Sequence, residues 1–131
     1  LIINTMKIAK KYLEVFHSTL SETSPKLAEA RIRDAFLKDL LEATNTLIKD
    51  RQKIYENFCL KNEDGTNDLE DGNRFKFKAE DIVKVNDELV TLYNEEVELN
   101  INPKIKDILK ETEHKFKTGE VDAYDEIIKL L

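Results

Sequence analysis

The densest set of oxygen ligands in the chain lies in Lys61–Asn73 (KNEDGTNDLEDGN), which carries Glu63, Asp64, Asp68, Glu70 and Asp71. A calcium loop needs oxygen ligands at its first, third and fifth positions, glycine at the sixth and a bidentate glutamate at the twelfth. With Gly72 as the sixth residue, Asn67 falls first but Leu69 falls third; with Gly65 as the sixth, Leu60 falls first. Neither register makes a cage for a hard cation. The Asp64-Gly65 and Asp71-Gly72 pairs instead suit turns whose backbone takes positive φ. An all-helical nucleotide pyrophosphatase would carry EExxE on one helix and ExxD on a later one, converging on magnesium. Glu95-Glu96-Val97-Glu98 has a different spacing, and Asp122 and Asp125 have no matching helix. His17 and His114 fall on separate predicted helices without an HExxH pair, so neither has a zinc-site partner. Cys59 stands near the end of a predicted helix, where the negative pole opposes a thiolate; it reads as a small buried hydrophobe. Gly65, Gly72 and Gly119 are too dispersed for a phosphate loop. No catalytic residue, metal ligand or cofactor is predicted, and the chain is not expected to be an enzyme.

The carboxylates matter more as a charge distribution. The 131 residues include 27 acidic and 21 basic ones, a net charge of −6. Residues 61–102 alone hold twelve acidic and five basic side chains, so the excess is concentrated there. Glu63, Asp64, Asp68, Glu70 and Asp71, continued by Glu95, Glu96 and Glu98, form the candidate partner-binding patch. An acidic balance opposes direct contact with a phosphate backbone, which relies on clustered Lys and Arg. It suits a protein partner, or carboxylates standing in for a nucleic acid. No apolar run approaches the roughly 20 residues of a membrane span. LIINTMKIAKK also lacks a signal-peptide core. The single cysteine, which can form no internal disulfide, fits a reducing cytoplasm.

These groups need elements to hold them, and three Gly and two Pro in 131 residues leave helix as the default. The predicted fold is mainly α: a long central helix packed by shorter helices, with a small two- or three-stranded β-element. It is read as a single helical domain over 1–131 with an acidic hairpin and sheet inserted at about 61–102. Ile3, Met6, Tyr12, Leu13, Phe16 and Leu20 recur at three- and four-residue steps, predicting a helix over 3–20. Ser24-Pro25 reads as the start of a helix that runs to about Phe58. It has two seams, one through Phe36, Leu40, Ala43, Leu47, Ile54 and Phe58. The other runs through Leu37, Leu41, Thr44, Ile48 and Tyr55, so both sides are expected to be covered, and a homo-oligomer would also cover them. Arg74-Phe75-Lys76-Phe77-Lys78 alternates as a strand, a helix follows over 79–94 with Ile82, Val85, Leu89 and Leu92 or Tyr93 inward, and Glu96–Ile101 alternates again. The basic and acidic faces of these two strands predict that they pair. A helix over about 105–116, a break at Thr118-Gly119 and a last helix with Tyr124, Ile127 and Ile128 complete the chain.

Several of these stretches together (SPKLAEARIRDAFLKDL, IKDRQKIYENF, the acidic turn, NRFKFK, VNDELVTLYNEEVELNI and the helical tail) resemble a group of small proteins from tailed bacteriophages and prophages of Gram-positive hosts. The likeness spans about residues 6–131. It implies a phage origin and a mostly helical domain with a small sheet, and brings no catalytic or binding residues. The leading expectation is a non-enzymatic accessory protein that binds another protein in the host cytoplasm, in virion or tail assembly for example. An acidic inhibitor of a host nucleic-acid enzyme or defence complex comes second, and a magnesium-dependent nucleotide hydrolase third.

Overall fold

The computed structural model describes residues 4–131. In order they form β1 (Asn4–Ala9), a 3-10 turn (Lys10–Tyr12), α1 (Leu13–Ser21), α2 (Leu27–Phe58), β2 (Leu69–Glu70), β3 (Arg74–Phe75), α3 (Ala79–Asn94), β4 (Glu96–Ile101), α4 (Lys104–Glu111) and α5 (Glu120–Leu130). The protein is mainly helical around the 32-residue α2, with two antiparallel two-stranded sheets, β1–β4 and β2–β3. The chain forms two compact units. One takes the residues up to Asn45 with Glu95–Leu131; the other is Thr46–Asn94.

The first unit is built on the β1–β4 pair. Met6 and Ile8 are buried while Thr5 and Lys7 are exposed, and opposite them Leu99 and Ile101 are buried while Glu98 and Asn100 are exposed. This period of two sends one face of each strand into the core. The helix expected over 3–20 therefore begins only at Leu13, and Ile3 lies outside the described residues. The three- and four-residue steps are real from Leu13 onward, where Leu13, Phe16 and Leu20 are fully buried. Met6 and Ile8 belong instead to a six-residue strand whose alternation the longer periodicity conceals. The pairing expected between RFKFK and EVELNI is also replaced. β4 pairs with β1 in the register Met6↔Leu99, Lys7↔Glu98 and Ile8↔Val97. Basic does face acidic, through Lys7, and Phe75 pairs with Leu69 in the other sheet.

Around this sheet α1 packs on α4 and α5, and α5 also meets β1. Phe16 contacts Phe36 of α2 with ring centroids 5.4 Å apart. Ile105, Ile108 and Leu109 of α4 and Ile127 of α5 close the core. Local chemistry sets the helix ends. Asn102 accepts from the Lys104 N–H on its side chain (2.9 Å) and from the Ile105 N–H on its carbonyl (3.0 Å), while Pro103 has no N–H to satisfy. Gly119, at φ 89°, turns the chain into α5, and the Glu120 carboxylate accepts from the Lys117 N–H at 2.6 Å.

α2 begins two residues later than Ser24-Pro25 implies. The first carbonyl in its four-residue ladder is that of Lys26, which accepts from Ala30 N–H. The helix buries one stripe, Phe36, Leu40, Thr44 and Leu47, and Thr44 returns its hydroxyl to the Leu40 carbonyl at 2.7 Å. The second expected seam is only partly covered: Leu41 and Ile48, seven residues apart on one face, are exposed. An α-helix can turn only one arc of its circumference toward a given core. α4 stops at Glu111, short of the expected 116.

Candidate functional site

The second unit holds the acidic hairpin. Its base is a ladder of short segments: Leu60 N–H donates to the Lys76 carbonyl (2.8 Å), Asp68 N–H to the Leu60 carbonyl (2.8 Å) and Lys76 N–H to the Asp68 carbonyl (3.3 Å). Isolated bridges join Cys59 to Phe77 and Lys61 to Asn67. RFKFK is thus a two-residue strand followed by one bridge, not a five-residue strand. Its alternation still does what alternation predicts, because Phe75 and Phe77 lie on one side, against Tyr55, with centroids 5.6 and 6.1 Å from that ring. Aromatic pairs at this range stabilise beyond their buried area.

Both Asp-Gly pairs form the expected turns, with Gly65 at φ 86° and Gly72 at φ 83°. The Asp64 carboxylate accepts from the Thr66 hydroxyl (2.6 Å) and the Thr66 N–H (3.0 Å). These two bonds favour the ionised form and hold its carboxyl below the usual carboxylate range. Asp68 lies 3.3 Å from the Lys76 ammonium. Glu63, Glu70 and Asp71 are exposed. Beside Glu70 and Asp71, the same hollow of the hairpin is lined by Arg74 and Lys76, so its field is mixed in sign. Cys59 is buried, as its residue type suggested, with Asn67 Oδ1 at 3.1 Å and the Lys61 ammonium at 3.2 Å from its sulfur.

The remaining three carboxylates of the candidate patch belong to the other unit. Glu95 pairs with Lys10 at 2.9 Å, and Glu96 and Glu98 stand on the exposed face of β4. The structure therefore gathers Glu63, Asp64, Asp68, Glu70 and Asp71 on one hairpin and places Glu95, Glu96 and Glu98 in a different compact unit. Neither histidine acquires metal-site company: among the described residues no group of three His, Cys, Asp or Glu side chains could hold a metal ion. The His114, Phe116 and Tyr124 rings pack as a mutual cluster, with centroids 5.7 Å (His114–Phe116), 5.4 Å (His114–Tyr124) and 5.1 Å (Phe116–Tyr124) apart. Its Nε2 lies 2.9 Å from the Leu109 carbonyl, which also accepts from the Tyr124 hydroxyl at 3.3 Å. Burial, then the Asp125 charge, pushes the Tyr124 phenol pKa up. Among the described residues, no helix is long and apolar enough to cross a membrane.

A surface that the sequence reading passed over lies on α3. Val85 and Leu92 are buried, as the predicted inward face requires. Ile82, also expected inward, is exposed instead, because it sits at the edge of that arc. Ala79, Val83, Asn86 and Val90 run at steps of four, three and four along another face, and all four are exposed. Val83 is 64% and Val90 58% accessible. This row carries no charge, whereas Glu80, Lys84 and Glu88 occupy the arc beyond it. The clue was available as a second apolar spacing on a helix that already had its core face. No protein-family model matches the chain, and no curated protein or solved structure matches it either.

Proposed function

We propose that this chain is a non-enzymatic accessory protein of phage or prophage origin that works by binding another protein in the host cytoplasm. The observation that carries the reading is the uncharged row Ala79, Val83, Asn86 and Val90, which α3 exposes in addition to its core face. Branched apolar side chains held in water at helical spacing are stabilised when a partner helix or groove covers them. Exposed carboxylates nearby in sequence, Glu63, Glu70 and Asp71, favour a partner with basic groups around an apolar centre. Resemblance to small phage proteins supports the origin, and virion or tail assembly, as a component or chaperone, is one form the activity would take. The test is co-purification of tagged protein from cells that carry it. Wild-type chain should retain a stoichiometric partner that Val83→Glu with Val90→Glu releases. Recovery only as a free monomer at every stage would refute the reading.

A second reading has its own observation. Glu63, Glu70 and Asp71 project from one turn-rich hairpin into solvent, as carboxylates imitating spaced phosphates would. It predicts competition with DNA for a host enzyme or defence factor, weakened by charge reversal at these positions. No competition at low salt, where such forces are longest-ranged, would eliminate it.

A further inference from the structure

Among the described residues the β1–β4 sheet has two strands, which leaves β4 with an outer edge, and the register says which groups lie along it. Lys10 N–H donates to the Glu95 carbonyl at 2.8 Å, which marks Lys10 and Glu95 as a hydrogen-bonded pair. In an antiparallel ladder such pairs alternate with pairs that share no bond. Ile8/Val97, Met6/Leu99 and Asn4/Ile101 are therefore bonded, and Ala9/Glu96, Lys7/Glu98 and Thr5/Asn100 are not. The N–H and C=O groups of Glu96, Glu98 and Asn100 consequently point away from β1. Among the described residues no hydrogen bond reaches them from another segment. The side chains of all three are exposed.

We infer that the outer edge of β4 receives an extended segment of a partner protein in which basic and apolar residues alternate, paired as a third strand. The backbone groups supply the pairing. Charge supplies the choice of occupant. An added strand places alternate side chains beside Glu96, Glu98 and Asn100 on the outer face, where lysine or arginine is favoured. Its intervening residues fall beside Val97, Leu99 and Ile101 on the core face, where apolar groups are favoured. β1 already shows this complement within the chain, with Lys7 opposite Glu98. A second copy of β4 is disfavoured, because antiparallel registers centred on Val97 or Glu98 set glutamate against glutamate, and the one centred on Leu99 sets Glu98 against Asn100 with no charge complement. At the C-terminal end of the strand, Asn100 and Asn102 line an open hollow of about 470 Å³ with Arg31, Ile32, Ala35, Phe36 and Asp39 of α2, its floor apolar and its rim charged with both signs. It offers an apolar side chain of the incoming segment a place to anchor. This surface lies in a different unit from the α3 row and does not depend on it.

The test uses the whole chain and a synthetic peptide alternating lysine with valine, with a glutamate–valine peptide as control. Amide hydrogen exchange is read residue by residue. In the free protein Val97, Leu99 and Ile101 should be protected and Glu96, Glu98 and Asn100 should exchange quickly. The lysine peptide should slow the latter three by about tenfold or more, and the glutamate peptide should not. Glu98→Pro removes an outward N–H without removing a bond to β1; it should abolish peptide binding while Val97 and Leu99 stay protected. Glu96→Lys with Glu98→Lys should reverse the preference to the glutamate peptide. Val83→Glu with Val90→Glu should leave peptide binding unchanged, so failure of the α3 reading is distinguishable from failure here. The inference is overturned if neither peptide binds, or if protection appears in residues 61–75 instead. It is also overturned if the β4 edge is protected without peptide in proportion to protein concentration, which would make a second copy the occupant.

Discussion

Truncating Ile8 to alanine should destabilise the protein severely, and truncating Lys7 beside it should scarcely register. Ile8 has no accessible surface, and Met6 retains only 5%. Removing three carbons from a fully buried side chain forfeits roughly 2.4 kcal/mol at about 0.8 kcal/mol per methylene, before any cavity is counted. With an unfilled cavity, isoleucine-to-alanine changes in cores cost about 2–5 kcal/mol. Met6→Ala should cost a similar amount. Lys7, on the exposed face opposite Glu98, takes part in a cross-strand pair that contributes roughly 0.2–1 kcal/mol. Equilibrium unfolding in urea separates these outcomes. At a slope of roughly 1–3 kcal/mol per molar, a loss of about 3 kcal/mol lowers the midpoint by about 1 M or more. The alternation is the point of the comparison. In a helix Met6 and Ile8 would lie about 200° apart at 100° per residue, so they could not share one buried face. If Ile8→Ala costs no more than Lys7→Ala, or if only one of Met6 and Ile8 is sensitive, β1 is not the strand described.

Three further outcomes follow from other parts of the molecule. Gly119→Ala should cost about 1–2 kcal/mol, because a Cβ there meets nothing within 4 Å and the penalty is the left-handed backbone alone; thermal unfolding beside Gly119→Asn, which tolerates that conformation better, checks it. Tyr124 should ionise above the usual value of about 10. Its neutral form is favoured by folding, so its contribution is complete below pH 10 and is lost as pH rises through the folded pKa; phenolate absorbance, compared with Tyr124→Phe, follows it. The Asp64 carboxyl should titrate below its unfolded value of about 3.9. Its contribution to the turn is present above that value and lost as pH falls through the lower, folded one; carboxyl carbon shifts measured by NMR report the midpoint, and Thr66→Val should raise it.

The helices were legible because three of them, α2, α3 and α5, have apolar spacings long enough to define a face, and because Gly119, Pro103 and the Asp-Gly pairs mark where the chain turns. β1 was obscured by its neighbour. Met6 happens to stand seven residues before Leu13, so the helical period of α1 runs backward through a strand of six residues. The partner of β4 was misread for a different reason. Charge complementarity identifies a basic strand as suitable, but Lys7 and Lys76 satisfy it equally, and only the apolar pairs Met6–Leu99 and Ile8–Val97 decide between them. Such pairings span about ninety residues and leave no local mark. Of the candidate carboxylates, those on the hairpin were recoverable as a group because they are contiguous. Glu95, Glu96 and Glu98 joined them in sequence but belong to the other unit. The row through Val83 and Val90 is visible as spacing, but one inward face already accounts for the helical period of α3, so the spacing alone does not mark a second row as exposed.

Co-purification of the tagged chain, with Val83→Glu and Val90→Glu as the matched variant, addresses the protein-binding account most directly. The account predicts a defined partner in fixed ratio to the wild-type chain, lost from the variant although its unfolding midpoint is unchanged. A wild-type chain that remains a free monomer at every stage, or a partner retained equally by the variant, would contradict it.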